Sequence, residues 1–195
     1  MSSETLERTA LKEWAVLVDA MARGDIVAMV RKGGIREQRA GFQVRHDRFL
    51  LYPTYFHEKA AEVAPRFVGG LEASHARRPA EGRLRLEHVA TVAAVWPVSD
   101  ESLLPAIAHE HGLAAGAVAS RFHYKNRPGV QVVAVRLARL PEPVEIVEVR
   151  RYTGCVSWVV LDDPVDVAGA TPVVPDSHFL SRLAALCDAL GAPAE

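Results

Sequence analysis

Val130 to Leu140, VQVVAVRLARL, is the strongest strand signal in the chain. Branched and leucine side chains dominate it, Pro128-Gly129 makes a turn before it, and Pro141 and Pro143 end it. A strand commits a chain to a sheet, and other runs supply partners. Ile26 to Val30 and Phe49 to Tyr52 are short and rich in β-branched or aromatic residues. Residues 84 to 98 open with Leu84, Leu86 and His88 alternating with Arg83, Arg85 and Glu87, a half-buried pattern. The run then turns apolar on both sides, as in a strand deep in a barrel or covered sheet. Ser157 to Leu161 forms a short closing strand.

Helical spacing fills the gaps. Leu6, Ala10, Trp14, Leu17, Val18 and Met21 recur at three- and four-residue intervals, predicting a helix over residues 5 to 22. Ser2, Ser3 or Thr5 caps its start, Gly24 stops it, and Lys12 falls on a wetter face. Trp14 is expected in the core, the alternative being a ring that stacks on a ligand. Residues 57 to 64 predict a short helix ended by Pro65, and residues 68 to 83 a surface loop. Asp100 caps a short helix carrying Leu103, Leu104 and Ile107. Asp176 caps a last helix whose stripe includes Phe179, Leu183, Leu186 and Cys187. The expected class is α+β: a small mixed β-barrel with helices at the N-terminus, in an insertion and at the C-terminus. One domain spans residues 5 to 161, residues 162 to 175 are linker-like, and the helix at 176 to 191 packs on the domain.

With 195 residues, 49% of them hydrophobic and 24% charged, the chain has the composition of a globular protein. Its net charge of −1 gives no overall attraction to nucleic acid or acidic lipid, so any such attraction is local. No apolar run approaches the ~20 residues that span a bilayer. Cys155 and Cys187 stand far apart in no metal spacing, which fits free thiols in the cytoplasm. Beside Gly154 and Ser157, Cys155 is a candidate reactive thiol, with no partner base assigned.

The candidate site lies between two strands. A polar connection holding Gly33, Gly34 and Gly41 with Arg31, Lys32, Arg36, Arg39, Arg45 and Arg48 leads into a strand that ends in Tyr52, Thr54, Tyr55, Phe56 and His57. A basic glycine loop facing aromatic and hydroxyl groups suits an anionic, planar ligand. The structural alternative pairs Arg31 with Glu37 or Glu58 and makes the YPTY segment a rigid turn. In RFHYKNR, Arg121, His123, Lys125 and Arg127 share one parity and Phe122 and Tyr124 the other. If extended, this is either a face for single-stranded nucleic acid or a hairpin edge with a charged outer side. His109 and His111 are two apart, not the four typical of helical metal pairs, and no metal or cofactor is assigned.

RKGGI at Arg31 to Ile35, FLLYPTYFHE at Phe49 to Glu58, LARLPEPV at Leu137 to Val144 and YTGCVSWVVL at Tyr152 to Leu161 closely resemble the bacterial domain-of-unknown-function family numbered 1802, over residues 10 to 161. A weaker resemblance is to the PUA-like barrels, in particular the ASCH and EVE domains, which are associated with RNA or modified bases. It rests on a helix ending in glycine, a strand ending in arginine, and a late strand followed by LPEPV and a Gly…Trp segment. Laid on Gly24, the ASCH signature Gly-x-Lys-x-x-Glu-x-Arg keeps the glycine and Arg31 but has Ile26 and Met29 in place of its lysine and glutamate. The resemblance therefore implies a binding pocket rather than lysine-borne hydrolysis.

The expected function is a nucleic-acid or modified-nucleotide binding module, its partner single-stranded or modified nucleic acid, with Arg31, Lys32, Tyr52, Thr54, Tyr55, His57, Arg121 and Trp158 about the ligand. One alternative is a metal-dependent nuclease or nucleobase-directed hydrolase, for which Asp47, Glu58 and Lys59 are the compact candidates. Another is a protein-interaction domain whose partner docks along residues 121 to 127.

Overall fold

The computed structural model describes residues 5 to 32 and 44 to 194. The expected glycine loop from Gly33 to Gly41, with Arg36, Glu37 and Arg39, lies outside the described residues, as do Ser2 and Ser3. The chain is mixed α+β. In order it forms β1 (Leu6–Trp14), α1 (Ala15–Ala22), β2 (Ala28–Arg31), β3 (Arg48–Thr54), α2 (Pro65–Val68), α3 (Leu71–Ala76), β4 (Arg83–Val98), α4 (Ala115–Phe122), β5 (Val130–Val147), β6 (Trp158–Asp166), β7 (Thr171–Pro172) and α5 (Asp176–Leu190).

The strands make one seven-stranded sheet in the order β2-β5-β4-β3-β1-β6, with β7 on β5. β1 runs parallel to β3, and the other pairings are antiparallel. The expected barrel is corrected here. Among the described residues β2 pairs only with β5 and β6 only with β1, so the sheet is open at both ends. β4 and β5 pair along most of their length, with irregularities between Leu86 and His88 and between Val92 and Ala94 that bend the pair.

Both faces of the sheet centre are buried, which is why its strands read as continuous apolar runs. Leu11, Phe49, Leu51 and Ala90 join the cluster beneath α1, α4 and α5 with Val16, Ile26, Trp96 and Leu186. Their neighbours Ala10, Leu50, Tyr52 and Val89 point the other way, into a second cluster with Leu84, Leu86, Tyr152 and Leu161.

The predicted helix over residues 5 to 22 is half strand. Glu, Arg, Lys, Leu and Ala favour helix when judged alone. Residues 6 to 14 nevertheless lie between β3 and β6, where ladder bonds on both sides and burial of Ala10 and Leu11 on opposite faces outweigh that preference. Gly24 does stop α1, at φ +75°. Pro65 begins α2 instead of ending a helix, as its missing N–H permits at a first turn. The predicted loop at 68 to 83 contains α3. Arg121 and Phe122 end α4 and residues 124 to 126 form a 3-10 turn, so the expected extended face does not exist. Asp100 accepts from the Ser102 amide as its cap role requires. β6 continues to Asp166 and β7 follows, within the stretch that reads as linker. Among the described residues no helix is long and apolar enough to cross a membrane.

Candidate ligand cavity

A cavity of about 640 Å³ opens between the end of β1, the end of β2, α4 and the segment at 155 to 157. Lys12 and Trp14 share a parity on β1 and both line it. Arg31 and Lys32 enter from β2, Ser120, Arg121 and Tyr124 from α4 and the turn after it, and His57 and Glu62 from the opposite wall.

These cations are held in different ways. Arg31 donates Nη1 to the Lys12 carbonyl at 3.1 Å and to Glu13 Oε2 at 3.0 Å, and both side chains of this ion pair are largely buried. Glu13 Oε1 in turn accepts the Trp14 amide at 2.9 Å. Arg121 donates to the Val30 carbonyl at 2.8 Å, and its guanidinium carbon lies 5.1 Å from the Trp14 ring centroid, a cation–π pair. Burial pulls the Arg121 guanidinium below its usual value, with Glu13 acting the other way. The Lys12 ammonium bonds the Gly154 carbonyl at 3.0 Å and sits 5.2 Å above the Tyr52 ring. Its pKa is lowered by burial, against the pull of Glu148 and Cys155. Lys32 is committed to the fold: its ammonium bonds the carbonyls of Phe122, Arg127 and Gly129. It thereby ties down a turn in which Lys125 and Asn126 both adopt positive φ.

Of the residues singled out in the sequence, Arg31, Lys32, His57 and Arg121 line this one cavity. His57 stands at φ 63°, a backbone conformation unusual for a side chain-bearing residue. Tyr52, Thr54, Tyr55 and Trp158 lie elsewhere. Tyr52 is buried, and its hydroxyl bonds Glu148, with burial raising the phenol's pKa further. Thr54 donates to the Glu13 carbonyl at 3.3 Å, behind the cavity wall. Tyr55 faces a separate cleft, its ring 5.6 Å from that of His75. Trp158 packs edge-on against Phe49 at 5.1 Å and against His46 at 5.2 Å.

Lys12, Trp14, Tyr124, Cys155 and Ser157 also line the cavity. For Lys12 and Trp14 the signal in sequence was their shared parity on what is a strand, hidden by the equally regular helical spacing, whereas Tyr124 and Cys155 already stood out as an aromatic of the RFHYKNR segment and as a candidate thiol. Glu58 does not pair with Arg31. Its buried carboxylate accepts the Val16 amide at 3.0 Å, at the start of α1, and meets His75 Nε2 at 2.6 Å. The two histidines weighed as metal ligands part company: His109 is exposed beside Glu110, whereas His111 is buried and accepts the Leu113 amide at 3.2 Å. Among the described residues no three His, Cys, Asp or Glu side chains come together as a metal set.

A family model described as "Domain of unknown function (DUF1802)" matches residues 10 to 185. No curated protein matches the sequence. Among solved structures, the ASCH protein of Zymomonas mobilis and a mutant form of it cover 91% of this chain and 94% of their own at 10% and 11% identity, each with a TM-score of 0.43. At that distance neither residues nor activity transfer.

Proposed function

This chain belongs to the DUF1802 family, and on that footing we propose that it is a binding module for single-stranded nucleic acid or a modified nucleotide, which enters the cavity beside Trp14. The observation that carries the reading is the Arg121–Trp14 pair set next to Lys12 in a cavity of about 640 Å³. Pockets of ~300–1,000 Å³ hold small organic ligands. A flat ring offers a base about 1–3 kcal/mol of stacking, and the ammonium and guanidinium groups attract phosphate without regard to sequence. A base within a duplex must be unpaired or extruded to reach such a hollow, which favours single strands.

The PUA-like architecture implied by the sequence motifs and a cytoplasmic setting belong to the same proposal. Both cysteines are free thiols, a state that such a reducing setting maintains. A metal-dependent nuclease would need converging carboxylates. Glu58 is instead spent on the start of α1 and on His75. Docking of a partner along a strand edge at 121 to 127 lacks the strand.

Fluorescence anisotropy of labelled single-stranded RNA and DNA, titrated with the protein across a salt series, tests the proposal. Binding that weakens linearly in log–log form as salt rises supports it. Absence of binding at low salt, or binding indifferent to salt, overturns it.

A further inference from the structure

Among the described residues two aromatic side chains are exposed, Phe56 at 65% and Tyr124 at 43%. Both stand at the cavity, on different elements. Tyr124 lines it from the 3-10 turn after α4, and Phe56 directly precedes His57, which lines it from the segment after β3. Each ring has a cation beside it. The Arg78 guanidinium carbon lies 5.5 Å from the Phe56 centroid and 5.3 Å from that of Tyr55, and the Lys125 ammonium lies 5.4 Å from the Tyr124 centroid. Neither Arg78 nor Lys125 has a carboxylate partner among the described residues. The backbone is unusual at the same two places. His57 follows Phe56 at φ 63° and Lys125 follows Tyr124 at φ 57°, and with Asn126 they are the non-glycine residues of the described chain that adopt positive φ. Such conformations persist where the surrounding structure holds them, and they cluster at ligand clamps.

A ring held in solvent forgoes the burial that gives an aromatic most of its value. Two such rings gathered at one cavity, each with an unpaired cation, suit a partner that brings flat faces and negative charge together. Inside the cavity Trp14 and Arg121 repeat the same pairing. A lone nucleotide has one base and fills one of these three stations, whereas a strand fills all of them. Resting on the nucleic-acid reading, we infer that the partner is a single-stranded polynucleotide and not a free modified nucleotide. Its bases stack on Phe56, Trp14 and Tyr124, and Arg78 and Lys125 face its phosphates where it leaves the cavity on either side.

The test is a competition series in which unlabelled oligouridylates, from the mononucleotide to the dodecamer, displace a labelled dodecamer from the full chain. Affinity is expected to climb with length. Phe56→Ala and Tyr124→Ala, both at exposed rings, should each weaken the dodecamer about tenfold and flatten that climb. A mononucleotide that binds as tightly as the dodecamer, or a climb left intact in both variants, overturns this inference alone. Absence of binding at every length overturns the nucleic-acid reading as well. Should either variant lose the wild-type unfolding midpoint, ultraviolet crosslinking of the wild-type protein to oligouridylate decides the matter. Adducts are expected on the peptides holding Phe56 and Tyr124, and adducts confined to other peptides overturn the inference.

Discussion

Arg182 on α5 donates Nε to Glu110 Oε2 at 2.8 Å, and the same guanidinium reaches the carbonyls of Gly24 at 2.6 Å and Asp25 at 2.9 Å. Glu110 is only 3% exposed, and its backbone carbonyl accepts the amides of Val27 and Ala28. One arginine thus locks the C-terminal helix to the end of α1 and to the entry of β2. Removing one partner of a buried pair leaves an uncompensated charge and costs about 3–5 kcal/mol, whereas replacing both by apolar groups is far milder. Arg182→Met is expected to lower the urea midpoint sharply, and Arg182→Met with Glu110→Leu to recover much of the loss. Equal stabilities for the single and double variants would contradict this account.

His111 supplies a pH dependence with a defined sign. Burial, reinforced by Arg66, Arg121 and His109, holds its imidazole down at about 4, against 6.5 when exposed. Unfolded chains therefore take up a proton between about pH 6.5 and 4 that the folded chain refuses. Stability should fall as pH drops through that window, by about 3 kcal/mol at most from this group at ~1.4 kcal/mol per pH unit. Urea unfolding of wild type and of His111→Asn across this range checks it. The variant is expected to show the flatter profile.

Lys32 is expected to act through the fold before it acts on any ligand. Its ammonium satisfies the carbonyls of Phe122, Arg127 and Gly129 around the turn with positive φ at Lys125 and Asn126. Charged hydrogen bonds contribute about 1.5–3 kcal/mol. Lys32→Met should lower the melting temperature and expose the Lys125–Arg127 turn to trypsin. Lys125→Gly, which relieves the left-handed backbone, should be neutral or stabilising. Limited proteolysis and thermal melts of both variants report the result.

Gly24→Ala carries two penalties. The residue has φ +75°, and an added Cβ would lie 2.4 Å from Val174 Cγ1. Left-handed backbone costs a side chain-bearing residue about 1–2 kcal/mol, and overpacking about 1–3 kcal/mol more. A loss of at least about 1 kcal/mol in unfolding free energy is expected, with the release of α5 visible as faster amide exchange near Phe179.

The legible parts of this molecule were those in which local signal and tertiary demand agree. The Val130–Leu140 strand, the stop at Gly24, the cap at Asp100 and the helix beginning at Asp176 all met the expectation from residues alone. β1 did not, because LERTALKEW satisfies the helical period and the strand period together, and its place between β3 and β6 decides the outcome. That single ambiguity concealed Lys12 and Trp14 as neighbours in the cavity. Arg121 reached the same cavity as Arg31 by a route unlike the one expected. It comes from the last turn of a helix built on small residues, AGAVASRF, instead of from an extended face. Tyr52 and Trp158 illustrate the converse: Tyr52 is taken up by the core, and Trp158, half-buried, packs against its edge on Phe49.

The claim that a base stacks beside Trp14 is tested most directly by the anisotropy of a labelled single-stranded oligonucleotide under native conditions with wild type, Trp14→Leu and Lys12→Gln, each variant first shown to keep the wild-type unfolding midpoint. Loss of about 1.4 kcal/mol or more of stacking predicts an affinity at least about tenfold weaker for Trp14→Leu, and Lys12→Gln should reduce the salt slope by about 1. Affinity and salt slope unchanged in both variants would place the ligand elsewhere and contradict the account.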